Sequence, residues 1–236
     1  MIKLIRLELK RNNIRTYLVA SAILCLVLLG FIYLIANAAQ LEDSSSREIV
    51  FRSYTNIFRL IGIISLVVFS TMSAIMYSRL IIGEYTGKRA ALLFSYPVSR
   101  SKILLAKLLL VFVFTSVSML ICTAIPYIIF SITESVSPIV VQDVMTMDLV
   151  VDALKTSGIA VIALGGIGIV SLRIGFIQKS VPTTLISAIL LSSIYGNAAI
   201  NTNDILSSVL ISGIGLIAAI IVMTELSNKV NKMEVE

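Results

Sequence analysis

The sequence lacks histidine and tryptophan, and among its 236 residues only 2 are cysteine, 4 are proline and 14% are charged. Zinc and haem sites thereby lose their commonest ligands, and catalysis by a Ser-His pair is excluded. Soluble domains have about 25% charged residues, so a deficit of this size excludes that class. Hydrophobic residues make up 58% of the chain, and the sequence therefore predicts a protein that folds in lipid.

The apolar residues form six long blocks without a charged residue. At about 1.5 Å per residue, a helix of about 20 residues crosses the roughly 30 Å hydrocarbon layer. The blocks are continuous rather than alternating, which is typical of helices and not of barrel strands. We predict an all-α membrane protein, a single domain over residues 1–236 with six transmembrane helices. The predicted spans are 17–36, 60–78, 108–132, 156–172, 181–200 and 205–224.

The charges lie between these blocks, and their distribution predicts an orientation. If the amino terminus lies inside, all of the 19 lysines and arginines except Arg47, Arg52, Arg59 and Lys155 fall in inner segments. This positive-inside bias predicts a multi-pass protein of the cell membrane with both termini in the cytoplasm. The net charge of +6 indicates contact with a membrane surface and no nucleic-acid partner. Arg59 and Arg173 lie at span ends, where their side chains are expected to reach the lipid head groups.

Two further expectations concern the first and third spans and the amino terminus. Cys25 and Cys122 are placed at depths that differ by about 9 Å, counted from the inner boundary, so no disulfide is expected. Between Ile2 and Lys10, apolar residues share one helical stripe and basic residues another. This pattern predicts an amphipathic interfacial helix on the inner membrane face. It serves as a topology anchor or, alternatively, takes part in gating or ATPase contact.

The inner segment between the second and third spans is far longer than the turn that joins two neighbouring helices. Residues Lys88 to Ser95 are good helix formers, and Pro97 ends that helix. Ser99 is suited to cap a second helix that leads into the third span. The pattern predicts a short surface helix, a break and a re-entry into the membrane.

This segment resembles the ABC-2 type family of ABC transporter permeases. The resemblance is carried by Glu84, Gly87, Leu92, Leu93, Pro97, Val98, Ser99, Arg100 and Lys107, and by the layout of a basic amphipathic start, six spans and a long basic loop. One departure is Lys88, where many members have a small or polar residue.

The resemblance implies that the loop carries a cytoplasmic coupling helix that docks on a separate ABC ATP-binding subunit. It also implies that two permeases, identical or related, pair around a path in the lipid membrane, with ATP and Mg bound to the partner subunit. The residues assigned to ATPase coupling are Glu84, Gly87, Lys88, Arg89, Leu92, Leu93, Pro97, Ser99 and Arg100. The alternative for the charged ones is an ordinary loop charge that sets topology.

The chain has no G-x-x-x-x-G-K-[ST] phosphate loop, so we expect it not to be an enzyme by itself. No catalytic, metal-binding or cofactor-binding residue is predicted in it. The spans lack the mid-membrane charges of ion-driven carriers, and this favours the ATP-driven exporter that the resemblance implies.

The apolar and hydroxyl-bearing spans favour an amphipathic or hydrophobic peptide as the exported substrate. Similar permeases export antimicrobial peptides, lantibiotics or peptide toxins. Two alternatives stay open: drug or sodium export by the same family, and a non-transporting membrane protein with an immunity or scaffold role. No substrate-contacting residue is predicted.

Overall fold

The computed structural model describes residues 14–41, 53–85, 100–139, 144–178, 180–201 and 205–231. Two predicted features fall elsewhere in the chain. The amphipathic helix at the amino terminus and the coupling helix at 88–95 both lie outside the described residues.

Within these ranges the chain forms six long helices, each apolar enough to cross a membrane, and no strand. The prediction of an all-α membrane protein with six spans is confirmed. The helices are α1 Arg15–Leu41, α2 Tyr54–Tyr77, α3 Arg100–Val136, α4 Met147–Gln178, α5 Val181–Asn201 and α6 Ile205–Asn231. Beyond Tyr77, α2 continues through a π-helical turn, Ser78–Ile82, and a last α turn, Gly83–Tyr85.

Two helices begin well before their predicted spans. α3 begins at Arg100, the residue after Ser99, rather than at 108, and α4 begins at Met147 rather than at 156. The predicted spans stopped at charged residues, but a charge does not end a helix. Asp148 lies in the first turn of α4, where the helix dipole favours an acidic residue. One turn later, Lys155 pairs with Asp152 at 2.8 Å.

The described chain folds as two compact units. The α1 unit consists of Arg15–Leu66 and Ser118–Val161. The α5–α6 unit contains Val67–Val117 and the described chain from Ile162 onward. A single domain over residues 1–236 stays a prediction.

Aromatic side chains form the core of the α1 unit. Phe130 is fully buried, and its ring packs edge-on against Tyr33 and Tyr54, with centroids 5.4 and 6.3 Å away. Tyr127 packs on Phe58 at 4.8 Å and donates a hydrogen bond to the Phe58 carbonyl at 2.8 Å. Such ring pairs contribute about 0.5–1.5 kcal/mol each beyond the burial of their area. They hold the α1, α2 and α3 segments of this unit together.

The two cysteines belong to neighbouring helices of the α1 unit. The Cys122 thiol donates to the carbonyl of Ser21, one helical turn before Cys25, at 3.3 Å. Both are free thiols. The contact places Cys122 beside the turn of α1 before Cys25, whereas counting from the inner ends of the predicted spans placed the two cysteines about 9 Å apart in depth.

Glycines on α4 bring the helices of the α5–α6 unit close together. A Cβ on Gly166 would lie 2.8 Å from the Gly215 carbonyl oxygen of α6, and one on Gly168 would lie 2.8 Å from Ser73 Oγ of α2. Real Cβ atoms do not come this close, so these positions need a residue without a side chain. The same unit exposes large apolar side chains on α5 and α6, including Ile194 and Ile214. Such a surface is suited to lipid and unfavourable in water.

Candidate functional site

Glu84 is the predicted coupling residue whose side chain falls within the described part of the chain. Of Arg100 the structure describes the backbone, which begins α3. The other predicted residues lie outside the described ranges, and their role in coupling stays a prediction. They are Gly87, Lys88, Arg89, Leu92, Leu93, Pro97 and Ser99.

Glu84 follows directly on the π-helical turn that extends α2. The N–H of Gly83 donates to the carbonyl of Ser78, five residues back instead of the four of an α-helix. A π turn holds one residue more than an α turn and often occurs at functional sites. Leu80, Ile81 and Ile82 of the turn are buried. Their packing fixes the direction in which the next residues leave the helix.

Glu84 forms an ion pair with Lys107 of α3. The Lys107 ammonium also donates to the Leu80 carbonyl oxygen at 2.9 Å. Lys107 is 1% exposed and the Glu84 side chain 12%, so both charges lie inside the protein. The pair therefore joins the last turn of α2 to the beginning of α3, the two ends of the segment predicted to couple.

The Glu84 carboxylate and the Leu80 carbonyl both stabilise the buried ammonium of Lys107. The Leu80 carbonyl lies near the carboxyl end of α2, where the helix dipole favours a positive charge. Removing one partner of a buried ion pair leaves an uncompensated charge and costs about 3–5 kcal/mol. Separating the two side chains in the folded protein therefore needs another source of free energy.

Further contacts link this site to neighbouring helices of the α5–α6 unit. The Tyr77 hydroxyl donates to the Leu108 carbonyl at 3.4 Å, next to the ion pair on α3. Ile82 lies beside Gly175 of α4, where an added Cβ would be 3.0 Å from the Ile82 Cδ1 atom. Thr184 of α5 contacts the same glycine. A displacement of the π turn thus affects α3, α4 and α5.

A second ion pair in this unit joins α4 to α6. Arg173 Nε donates to Glu225 Oε2 at 3.3 Å, and Nη2 donates to Oε1. Arg173 is 15% exposed and Glu225 56%, so the arginine expected at the lipid head groups pairs with a carboxylate on an exposed part of α6. Glu225 lies 52 residues after Arg173 in the chain. The spacing of residues in the sequence does not reveal pairs so far apart. Arg59 is half-buried in α2.

Sequence reasoning also missed a buried carboxylate in the α1 unit. Glu134, near the end of α3, is 2% exposed. Its Oε1 atom accepts hydrogen bonds from the Tyr54 hydroxyl at 2.5 Å and from the Ile139 N–H at 2.8 Å. The hydroxyls of Tyr33 and Thr133 form a hydrogen bond of 2.6 Å one residue away. An acidic residue directly after an apolar block is expected at the aqueous end of a span, so the sequence indicates neither the burial of Glu134 nor its tyrosine partner.

The chemistry of these sites is ion pairing and hydrogen bonding between helices. Among the described side chains, no group of three or more His, Cys, Asp or Glu residues is placed to hold a metal ion. The Glu84–Lys107 pair is a non-covalent contact between two charges on different helices. This arrangement is suited to transmitting movement from one helix to another.

Residues 4–196 match the sequence model of the family described as ABC-2 family transporter protein. The chain is also 28% identical over 190 residues to the uncharacterized protein YcbO of Bacillus subtilis (strain 168), an alignment that covers 80% of each chain. No solved structure matches the chain. The family match spans the Glu84–Lys107 site as well as α1 to α4. The chain therefore belongs to the ABC-2 family of transporter proteins, as a transmembrane permease subunit that is not itself catalytic.

Proposed function

We propose that this permease belongs to an ATP-driven exporter in which the segment from Gly83 to Lys107 couples a separate ATP-binding subunit to the membrane helices. The observation that supports this most is the buried pair of Glu84 and Lys107. It joins α2 to α3 at the two ends of the segment, so a force on the segment reaches both helices. Family membership implies the ATP-binding partner.

The partner subunit binds ATP and Mg and docks on the segment that the pair closes. The docking residues are Gly87, Lys88, Arg89, Leu92, Leu93, Pro97, Ser99 and Arg100. When ATP binding closes the partner subunits on each other, the segment moves with them. Because Ile82 contacts α4 beside Gly175, the movement spreads from α2 and α3 to the rest of the α5–α6 unit.

The coupling segment and both termini face the cytoplasm, and a second permease, identical or related, completes the translocation path in the lipid membrane. The exported substrate is an amphipathic or hydrophobic peptide of the antimicrobial, lantibiotic or toxin kind. Support comes from the helix interiors, whose buried polar groups in mid-span are hydroxyls such as Ser65, Ser70 and Thr115. Spans whose polar side chains are mainly hydroxyls are suited to a large apolar molecule better than to a compact anion.

Reconstitution in lipid vesicles with the ATP-binding partner tests the coupling function. Wild-type permease should make ATP hydrolysis respond to substrate, and Lys107→Met should reduce that response about tenfold. Lys102→Met is the matched control, because Lys102 is an exposed lysine of the same helix, and it should respond as wild type does. Substrate-stimulated hydrolysis by the permease alone, or none with the partner present, would contradict the proposal.

The same vesicles distinguish the substrate classes. A cationic amphipathic peptide, a hydrophobic dye and a sodium gradient are compared for stimulation of ATP hydrolysis and for movement across the membrane. Stimulation by the peptide alone supports peptide export, whereas stimulation by dye or sodium assigns drug or sodium export. Binding of a peptide toxin without any ATP-dependent movement identifies an immunity or scaffold protein instead.

A further inference from the structure

The position of Glu84 depends on the extra residue in the π turn Ser78–Ile82. In an α-helix each residue advances by about 1.5 Å and rotates by about 100°. The π turn contains one residue more than an α turn. Each residue after it therefore lies where the preceding residue would lie in a continuous α-helix. If the turn becomes α-helical, Gly83 takes the place that Glu84 now holds. Glu84 then rotates by about 100° away from Lys107.

We infer that the turn Ser78–Ile82 is a two-state element, which holds Glu84 on Lys107 in its π form and separates the two side chains in its α form. This inference rests on the proposed coupling function and specifies how the segment acts on the membrane helices. The change from the π form to the α form alters two contacts. Lys107 loses its ion pair with the Glu84 carboxylate, and Ile82 leaves its contact with Gly175 of α4.

Local geometry makes both forms accessible. Gly83 has φ −65° and ψ −19°, a right-handed helical conformation that an α turn also uses. A Cβ on Gly83 would lie 3.6 Å from the Ser78 carbonyl oxygen, an ordinary van der Waals distance. Arg79 of the turn is exposed. The Glu84–Lys107 pair opposes the change, and docking of the ATP-bound partner supplies the free energy for it.

Deletion of Arg79 tests the two-state turn, with Arg79→Ala as the matched control. The deletion removes the extra residue, so α2 becomes a continuous α-helix while Glu84 keeps its register with Lys107. The ion pair stays formed, but the turn has no second state. Coupled to the ATP-binding partner in vesicles, the deletion variant should lose substrate-stimulated ATP hydrolysis about tenfold. Arg79→Ala removes the same exposed side chain, keeps the turn and should hydrolyse ATP as wild type does.

Hydrogen exchange of the wild-type complex provides a second measurement that does not depend on the deletion. The amides of Leu80 to Glu84 should exchange at a different rate when the partner holds a non-hydrolysable ATP analogue than when it is empty. Equal exchange rates with the ATP analogue and with the empty partner would overturn the two-state turn. This measurement uses wild-type protein, so it decides the question even if the deletion variant fails to insert into the membrane. Normal coupling in an inserted deletion variant would also overturn the two-state turn and leave the proposed function intact. Failure of the wild-type complex to couple would overturn both.

Discussion

Burial makes the two partners of the Glu84–Lys107 pair unequal. Lys107 is 1% exposed, whereas Glu84 keeps 12% of its side-chain surface. Loss of the carboxylate leaves a charge in the interior, while loss of the lysine leaves a carboxylate that water partly reaches. The lysine therefore depends more on the glutamate than the glutamate does on the lysine.

We predict that Glu84→Gln lowers the free energy of unfolding by about 3 kcal/mol and that Lys107→Met lowers it less. The double variant should recover most of the loss, because no unpaired charge is left inside the protein. Lys102→Met, at an exposed position of the same helix, should change the value by less than about 0.5 kcal/mol. Reversible unfolding in mixed micelles measures all four variants. Additive losses in the double variant would contradict the pairing.

The sequence indicates the residues of this site but not their contact. Glu84 and Lys107 both belong to the pattern that resembles ABC-2 permeases, yet only the packing of α2 against α3 brings them together. The π turn also lacks a local signature, since Ser-Arg-Leu-Ile-Ile is compatible with an ordinary α-helix. The hydrophobic pattern indicates which residues are buried and whether a segment is helical. It contains no information about which carboxylate pairs with which ammonium.

At the level of helices, the sequence predicts their number well and their length poorly. Six charge-free blocks become six helices, because a backbone in lipid must satisfy its own hydrogen bonds. The helices extend past the blocks, as α3 does from Arg100 to Val136, since helical structure continues into charged segments that remain good helix formers. Hydropathy measures the apolar part of a helix and does not detect its polar ends.

Close packing of α4 on α2 predicts a strong effect of a side chain at Gly168. A Cβ there would lie 2.8 Å from Ser73 Oγ and 2.9 Å from the Tyr77 ring. Gly168→Val should destabilise the protein by about 1–3 kcal/mol through overpacking. Gly158→Val on the same helix is the control, because no atom lies within 4 Å of its Cβ position. The two variants are compared by unfolding in micelles, and equal stability would disprove the close approach.

Contact between α1 and α3 predicts a disulfide that forms on oxidation. The Cys122 thiol donates to the carbonyl of Ser21, one helical turn before Cys25, and both cysteines are free thiols. Copper phenanthroline should therefore join them within one chain, provided that the Cα atoms come within the usual 4.4–6.8 Å. Mass spectrometry after alkylation counts the remaining thiols. In the control variant Cys122→Ser, the Cys25 thiol should stay free after oxidation. Two reactive thiols in the oxidised wild-type protein would refute the contact.

At the scale of the whole molecule, the length of α3 predicts on which sides of the membrane its two ends lie. α3 has 37 residues, a length of about 55 Å, and crosses a hydrocarbon layer of roughly 30 Å. Its two ends therefore lie on opposite sides. Lys107 lies near the first end, and Ser137 follows directly after the last residue of the other end. We therefore expect Ser137 on the side of the membrane opposite to Lys107.

The positive-inside bias predicts that Ser137 faces the outside, since all but four of the 19 lysines and arginines fall in the segments assigned to the cytoplasm. In a background with Cys25→Ser and Cys122→Ser, Ser137→Cys should react with a membrane-impermeant maleimide on intact cells. Ser180→Cys, between α4 and α5, should react only after the cells are permeabilised, and this reaction verifies that its thiol is accessible. If Ser180→Cys reacted on intact cells and Ser137→Cys did not, the Glu84–Lys107 pair would lie outside the cell, where no ATP-binding subunit can reach it. That result would refute both the orientation and the coupling function.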